Sequence, residues 1–219
     1  MSFPGLNLKY SNLKEYIQNI KKLIKRQKKY SKSNGEMALR IGLDKSDYYI
    51  KLMTKDKSNI FRAYSDALYF SQTSYNEVKF KMYSFIQKNA NIFTKLLKFI
   101  GSKYDTAEEY LEELNKSTKE PEVALIILSI IFERNLTVLY YDETFATKKY
   151  KLDLGFTKSV FISIIDKSGY FDTVYSKEYI KYCGMVQSIL FDLASSIGES
   201  GDISEETSEN KSLKMNYYK

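Results

Sequence analysis

Histidine and cysteine, two residue types that nucleophilic catalysis uses most, are nearly absent from this sequence. It contains one cysteine, Cys183, and no histidine. A Ser-His or Cys-His pair therefore cannot form within the chain. The same count excludes a histidine-ligated metal site, a zinc site built on CxxC pairs and an internal disulfide. Hydrolysis by paired carboxylates is not excluded by the composition.

Sequence motifs for phosphate or nucleotide binding are also missing. The chain has neither GxxxxGK[ST] nor GxGxxG, and its nine glycines are too few to favour a glycine-rich phosphate loop. No segment repeats with a period of about 20 to 50 residues. We therefore predict that the protein uses no cofactor and binds no metal ion.

The composition is that of a soluble globular protein whose positive charge lies at one end. Of 219 residues, 43% are hydrophobic and 28% are charged, which is typical of one domain with its own core. The net charge is +7, but residues 1–34 alone hold nine Lys or Arg against one acidic residue, Glu15. A partner attracted by charge would therefore meet the N-terminal segment first.

An amphipathic helix is predicted from Asn12, a candidate cap, to about Tyr30. Its apolar residues recur at helical spacing: Leu13, Tyr16, Ile17, Ile20, Leu23 and Ile24. The other face is basic, with Lys14, Lys21, Lys22, Lys25, Arg26, Lys28 and Lys29. This face could bind nucleic acid or an anionic membrane, or it could be the solvated side of a helix that packs on its own domain. We favour the second interpretation.

The remaining patterns predict an α+β domain whose sheet comes mainly from the second half of the chain. Helices are predicted over residues 45–53, 59–70, 75–89, 106–115, 122–133 and 177–196, and strands over 136–141, 160–165 and 171–175. We predict a helix and linker over residues 1–35, a domain over 36–197 and a disordered tail over 198–219. The start lacks a signal peptide and no apolar run could span a bilayer, so we expect a cytoplasmic or nuclear protein.

One stretch carries more information than these patterns. Residues 56–69 read DKSNIFRAYSDALY, which resembles the segment DG[NS]CLFRA around the nucleophile of the OTU (ovarian tumour) family of cysteine deubiquitinases. Weaker matches follow in the family's order, at residues 71–79, 110–114, 125–129, 169–175 and 185–190. The last of these is similar to a helix of the subfamily that contains the fly ovarian tumor protein.

The resemblance implies a papain-like OTU fold, in which helices flank a small central sheet. It aligns Asp56, Asn59 and Tyr170 with the family's acid, catalytic cysteine and histidine. Because Asn59 supplies no thiolate and a tyrosine is a poor base near neutral pH, it implies a pseudo-deubiquitinase that binds ubiquitin or another protein partner. Loop positions that the family uses for its substrate correspond to Lys57, Ser58, Lys119, Glu120, Gly169 and Phe171.

Two other functions stay open at this point. One is an active isopeptidase that uses unconventional groups or a cysteine lent by a partner, and the other is a tether to RNA or an anionic membrane through the basic helix. The simplest structural interpretations are that Asn59 caps the helix that follows it and that Tyr170 fills the space of the missing imidazole. We expect Cys183 to be a small buried residue.

Overall fold

The computed structural model describes residues 10–30, 47–116, 120–141, 147–164 and 170–199. The chain divides into two compact units, of which the first ends at Lys177 and the second begins at Glu178. Each unit is therefore described by itself.

Helices and one mixed sheet make up the first unit, which confirms the predicted α+β class. Its described helices are α1 (Tyr10–Tyr30), α2 (Asn59–Tyr69), α3 (Tyr75–Lys88), α4 (Ala90–Ile100), α5 (Ala107–Lys116) and α6 (Pro121–Ile131). The strands are β1 (Tyr48–Lys51), β2 (Arg134–Tyr141), β3 (Thr147–Leu152), β4 (Lys158–Ile164) and β5 (Phe171–Ser176). The last helix, α7 (Lys177–Glu199), belongs to the second unit from Glu178 onward.

The five strands lie in the order β1-β5-β4-β2-β3. β2 and β4 are parallel, and the other neighbouring pairs are antiparallel. β5 lies between β1 and β4, but β1 pairs with it only from Thr173 to Ser176. The start of β5, at Phe171, therefore lies beyond the end of β1.

The prediction of a helix over residues 45–53 is wrong for residues 47–53, the part of this segment that the structure describes. Tyr48–Lys51 is an edge strand, with Tyr49 opposite Tyr175 and Ile50 opposite Val174. Aromatic and β-branched residues favour a strand, and pairing with β5 decides the outcome. The predictions also omit α4 and β3, although the buried residues of α4, Phe93, Leu96, Leu97 and Ile100, recur at helical spacing and Gly101 ends the helix.

The apolar side of α1 is part of the main hydrophobic core. The buried residues on this helix are Leu13, Ile17, Ile20, Leu23 and Ile24. Its basic residues Lys21, Lys22, Lys25 and Arg26 are exposed, and the side chains of Lys28 and Lys29 are outside the described part of the chain. Of the helices that the structure describes, none combines the length and apolar character needed to cross a bilayer.

The burial of α1 predicts a large difference between two substitutions on this helix. Ile20 is fully buried and Lys22 is exposed. We expect Ile20→Ala to lower the free energy of unfolding by about 2–5 kcal/mol and Lys22→Ala by less than about 0.5 kcal/mol, measured by urea denaturation. Equal effects of the two substitutions would contradict the placement of α1 in the core.

Candidate functional site

A loop and a helix start form the first half of the site. The Asp56 carboxylate accepts a hydrogen bond from the Ser58 backbone N–H at 2.9 Å, and the Asp56 carbonyl accepts one from Asn59 N–H at 3.0 Å. Ser58 is the N-cap residue of α2, although its side chain makes no capping bond. This turn brings Asn59 to the first helical position, with its side chain inside the protein.

The Asn59 side chain joins α2 to β5 through their polar atoms. Its Oδ1 accepts a hydrogen bond from Phe171 N–H at 2.7 Å, and its Nδ2 donates to the Phe171 carbonyl at 3.0 Å. The second Nδ2 hydrogen bond goes to the Thr54 carbonyl at 3.1 Å. Asn59 is 2% exposed, so these bonds are shielded from water. We call this arrangement the Asn59 clamp.

The prediction that Asn59 caps α2 is therefore wrong. The ladder between β1 and β5 ends opposite Thr173, two residues after Phe171. The N–H and the carbonyl of Phe171 still need partners because buried backbone groups are costly to leave unpaired. A carboxamide offers one acceptor and two donors, so Asn59 satisfies both groups as a neighbouring strand would.

Asp56 is held in an ion pair rather than left free. Its Oδ2 accepts hydrogen bonds from Arg62 Nε at 3.0 Å and from a terminal nitrogen of Arg62 at 2.8 Å. The Arg62 guanidinium in turn lies 3.9 Å from the centre of the Tyr75 ring. Hydrogen bonding to Arg62 holds the pKa of Asp56 below its usual value.

Two further contacts fix the loop before Asp56. Met53 N–H donates to the carboxylate of Asp172 at 2.8 Å, and Asp172 is buried. The Gln72 side-chain oxygen accepts from the N–H and the hydroxyl of Thr54 at 3.3 and 3.1 Å. The sequence patterns predict no role for Asp172, Gln72 or Thr54. Asp172 and Gln72 nevertheless lie within the stretches that carry the family resemblance.

The structure brings only part of the predicted site together. Hydrogen bonds connect Asp56, Ser58, Asn59 and Phe171. Tyr170, the residue before Phe171, is half-buried. Glu120 instead bonds to the loop after α4.

The bonds of Glu120 explain its position. Its carboxylate accepts from the Ser102 hydroxyl at 2.5 Å and from Lys103 N–H at 3.2 Å. Lys57 is exposed beside α2. The pKa of Lys79 is lowered first by its own burial and second by the nearby positive charge of Lys57. Two predicted positions, Lys119 and Gly169, lie outside the described residues.

The chemistry available at this site is hydrogen bonding and charge pairing. A carboxamide whose oxygen and nitrogen are both bonded to backbone is not a nucleophile of the thiolate type. Cys183 lies in the second unit and is partly exposed, contrary to the expected burial. In the described ranges, no group of three or more cysteine or acidic side chains is arranged to hold a metal ion.

Comparisons with known proteins point to one fold. No protein-family profile matches the chain. The chain is 30% identical over 169 residues to mouse UDP-N-acetylglucosamine transferase subunit ALG13, covering 76% of this chain and 14% of that protein. It is 27% identical to human OTU domain-containing protein 4 and 26% identical to Deubiquitinase otu of Drosophila melanogaster.

The last two matches each cover 69% of this chain, and 13% and 17% of the relatives. The chain thus spans about one seventh of the length of the curated relatives it matches. Among solved structures, the OTU domain of OTUD1 superposes with a TM-score of 0.51 at 17% identity. This superposition covers 64% of the chain and 99% of the OTUD1 domain.

The Asn59 clamp predicts the stability of two variants. Asn59→Leu leaves the backbone partners in Phe171 and Thr54 unpaired, so we expect a loss of about 2–4 kcal/mol in the free energy of unfolding. Asn59→Asp keeps the acceptor for Phe171 N–H but places a carboxylate against two carbonyls, which raises its pKa in the folded state. Its deficit relative to wild type should therefore be largest at neutral pH and shrink as the pH falls through that raised pKa.

Urea denaturation between pH 4 and pH 8 measures both effects, with Ser58→Ala as the neighbouring control. A pH-independent deficit of Asn59→Asp, or a loss below about 1 kcal/mol for Asn59→Leu, would contradict the clamp.

The ion pair between Asp56 and Arg62 predicts a pH-dependent contribution to stability. Because the folded-state pKa of Asp56 is lowered, its contribution is present above the unfolded pKa of about 3.9 and is lost as pH falls through the folded value. We expect Asp56→Asn to cost about 0.5–1 kcal/mol at pH 7, a small value because the carboxylate is partly solvated. The difference from wild type should disappear in acid, and a constant difference from pH 7 to pH 2 would refute this account.

Proposed function

This chain has the fold of an OTU domain, and from that premise we propose that it is a catalytically inactive member that acts by binding. The proposed partner is ubiquitin or another protein of the ubiquitin pathway.

The Asn59 clamp is the observation that carries the proposed inactivity. The position that corresponds to the family's nucleophile holds a buried amide with three hydrogen bonds to backbone atoms. The position of the family's base holds Tyr170, and the whole chain has no histidine to replace it. A thiolate and an imidazole are the two groups that cysteine hydrolases require, and neither is available from these positions.

The retained scaffold supports a binding role. Core side chains within the stretches that resemble the family are buried, among them Phe61, Tyr64, Val78, Leu128 and Val174. The loop at residues 52–58 is held by Asp172, Gln72 and Asn59 and so presents a fixed surface. A preorganised surface loses little conformational entropy on binding.

The position of α1 limits how this basic helix could act as a tether to RNA or an anionic membrane. The apolar side of α1 belongs to the core, so it is not available to insert into a membrane. The exposed residues Lys21, Lys22, Lys25 and Arg26 leave only electrostatic attraction to an anionic partner. We therefore rank this function below protein binding.

A ubiquitin probe with a cysteine-reactive group at its C-terminus tests the proposed inactivity. We expect no labelling of the wild-type protein and measurable labelling of the double variant Asn59→Cys, Tyr170→His. Asn59→Cys alone should react much less, because its thiol lacks a neighbouring imidazole. Lys57→Gly added to the double variant should increase labelling if the lysine obstructs the approach of the probe. Circular dichroism controls for folding, since each variant loses the Asn59 clamp.

Labelling of wild-type Cys183 faster than a free thiol would overturn the proposed inactivity. The binding role has a separate readout, in which isotope-labelled mono-ubiquitin and defined ubiquitin chains are titrated with the wild-type protein and followed by NMR. We expect localised shifts with dissociation constants below about 1 mM. The absence of shifts with every form of ubiquitin would remove ubiquitin as the partner.

A further inference from the structure

A surface groove lies where α3, α4 and α5 meet, on elements that the Asn59 clamp does not include. Its volume is about 530 Å³, within the range of sites that bind small groups or side chains. Its lining residues are Tyr83, Gln87, Ala90, Ala107, Glu108, Leu111 and Glu112. We call it the α3–α5 groove.

Small residues and two hydrogen bonds give the α3–α5 groove its shape. Ala90 and Ala107 begin their helices and have the smallest side chains among the residues that line the groove. The Ala107 N–H donates to the Thr94 hydroxyl at 3.1 Å, which holds α5 to α4. The Tyr83 hydroxyl donates to the Leu111 carbonyl at 3.2 Å, which holds α3 to α5. The walls of the groove are therefore fixed before any ligand binds.

The charges of the groove determine the sign of the charge that its ligand should carry. Glu108 and Glu112 are exposed and lie one helical turn apart, so their carboxylates point to the same side of α5. Neither has a hydrogen-bond or ion-pair partner among the residues that the structure describes. Two carboxylates above an apolar floor of alanine and leucine repel anions and attract a cation that has an apolar stem.

We propose that the α3–α5 groove binds an arginine side chain of a protein partner. A guanidinium has five N–H donors in one plane, so a single arginine can bond to both Glu108 and Glu112. Its methylene groups would contact Leu111. Burial raises the pKa of Tyr83 to about 12, so this side chain remains a neutral phenol at physiological pH. A lysine offers neither the plane nor the paired donors and should bind more weakly.

This inference goes beyond the proposed function and does not depend on it. The groove contains none of Asp56, Asn59 and Tyr170, and its ligand chemistry would be the same in an active or an inactive domain. Arginine recognition at the groove and ubiquitin recognition therefore succeed or fail in separate measurements.

NMR titration of the full-length, isotope-labelled chain tests the groove. The probe is a blocked hexapeptide that carries two arginines, and its control carries citrulline, the neutral isostere, at both positions. We expect the arginine peptide to shift the amide signals of Tyr83, Leu111 and Glu112, and the citrulline peptide to bind at least about fivefold more weakly. A lysine peptide should fall between the two.

Two matched double variants separate the groove from general charge attraction. Glu108→Gln with Glu112→Gln should weaken binding of the arginine peptide at least about fivefold. Glu15→Gln with Glu133→Gln changes the net charge equally at exposed positions of the first unit that do not line the groove, and we expect it to retain most of the affinity. Ala90→Leu should also reduce binding, by filling the groove while both carboxylates remain.

Three results would overturn the inference. They are equal binding of the arginine and citrulline peptides, equal losses in the two double variants, and unchanged groove signals at about 5 mM arginine peptide. The glutamine substitutions lie at exposed positions, so misfolding does not prevent the test.

Discussion

The three hydrogen bonds of the Asn59 amide hold together the parts of the structure on which the site depends. β1 is too short to cover the start of β5, so on the side away from β4 the N–H and the carbonyl of Phe171 have no strand partner and bond to Asn59 instead. The same amide binds Thr54, so the loop before α2 is fixed by the contact that completes the sheet edge. One side chain thus aligns a helix, a strand and a loop.

This contact is the first of a series along α2 and β5. The Thr173 hydroxyl donates to the Ala63 carbonyl at 3.0 Å, and the Tyr175 hydroxyl donates to the Asp66 carboxylate at 2.7 Å. Alternate residues of a strand lie on one face and are about 6.6 Å apart, which is close to the rise of one helical turn. The fully buried Asp66 also pairs with Lys51 of β1, so its charge is compensated by a lysine on one strand and hydrogen-bonded by a tyrosine on the other. The helix is therefore bonded to the strand from its first residue to its last turn.

The sequence contains enough information to predict the fold but too little to predict the role of Asn59. The ordered motifs predict the OTU fold correctly, and the helical spacing of Leu13, Ile17 and Ile20 predicts the buried side of α1. The role of Asn59 was missed because its partner is 112 residues away and the alternative of a helix cap is local. Tyr48–Lys51 was misassigned for a similar reason, since its pairing with β5 is a long-range interaction that short-range patterns do not contain.

The distribution of charge shows why the net value is a poor guide to a partner. The chain carries +7, yet the side chains of Glu108 and Glu112 leave the α3–α5 groove acidic, while the exposed cations Lys21, Lys22, Lys25 and Arg26 lie on α1. Over distances comparable to the Debye length of about 8 Å at physiological ionic strength, each surface acts mainly through its own charges. An anionic partner and a cationic partner would therefore select different faces of the same domain. Local geometry, rather than total charge, determines which chemistry each face accepts.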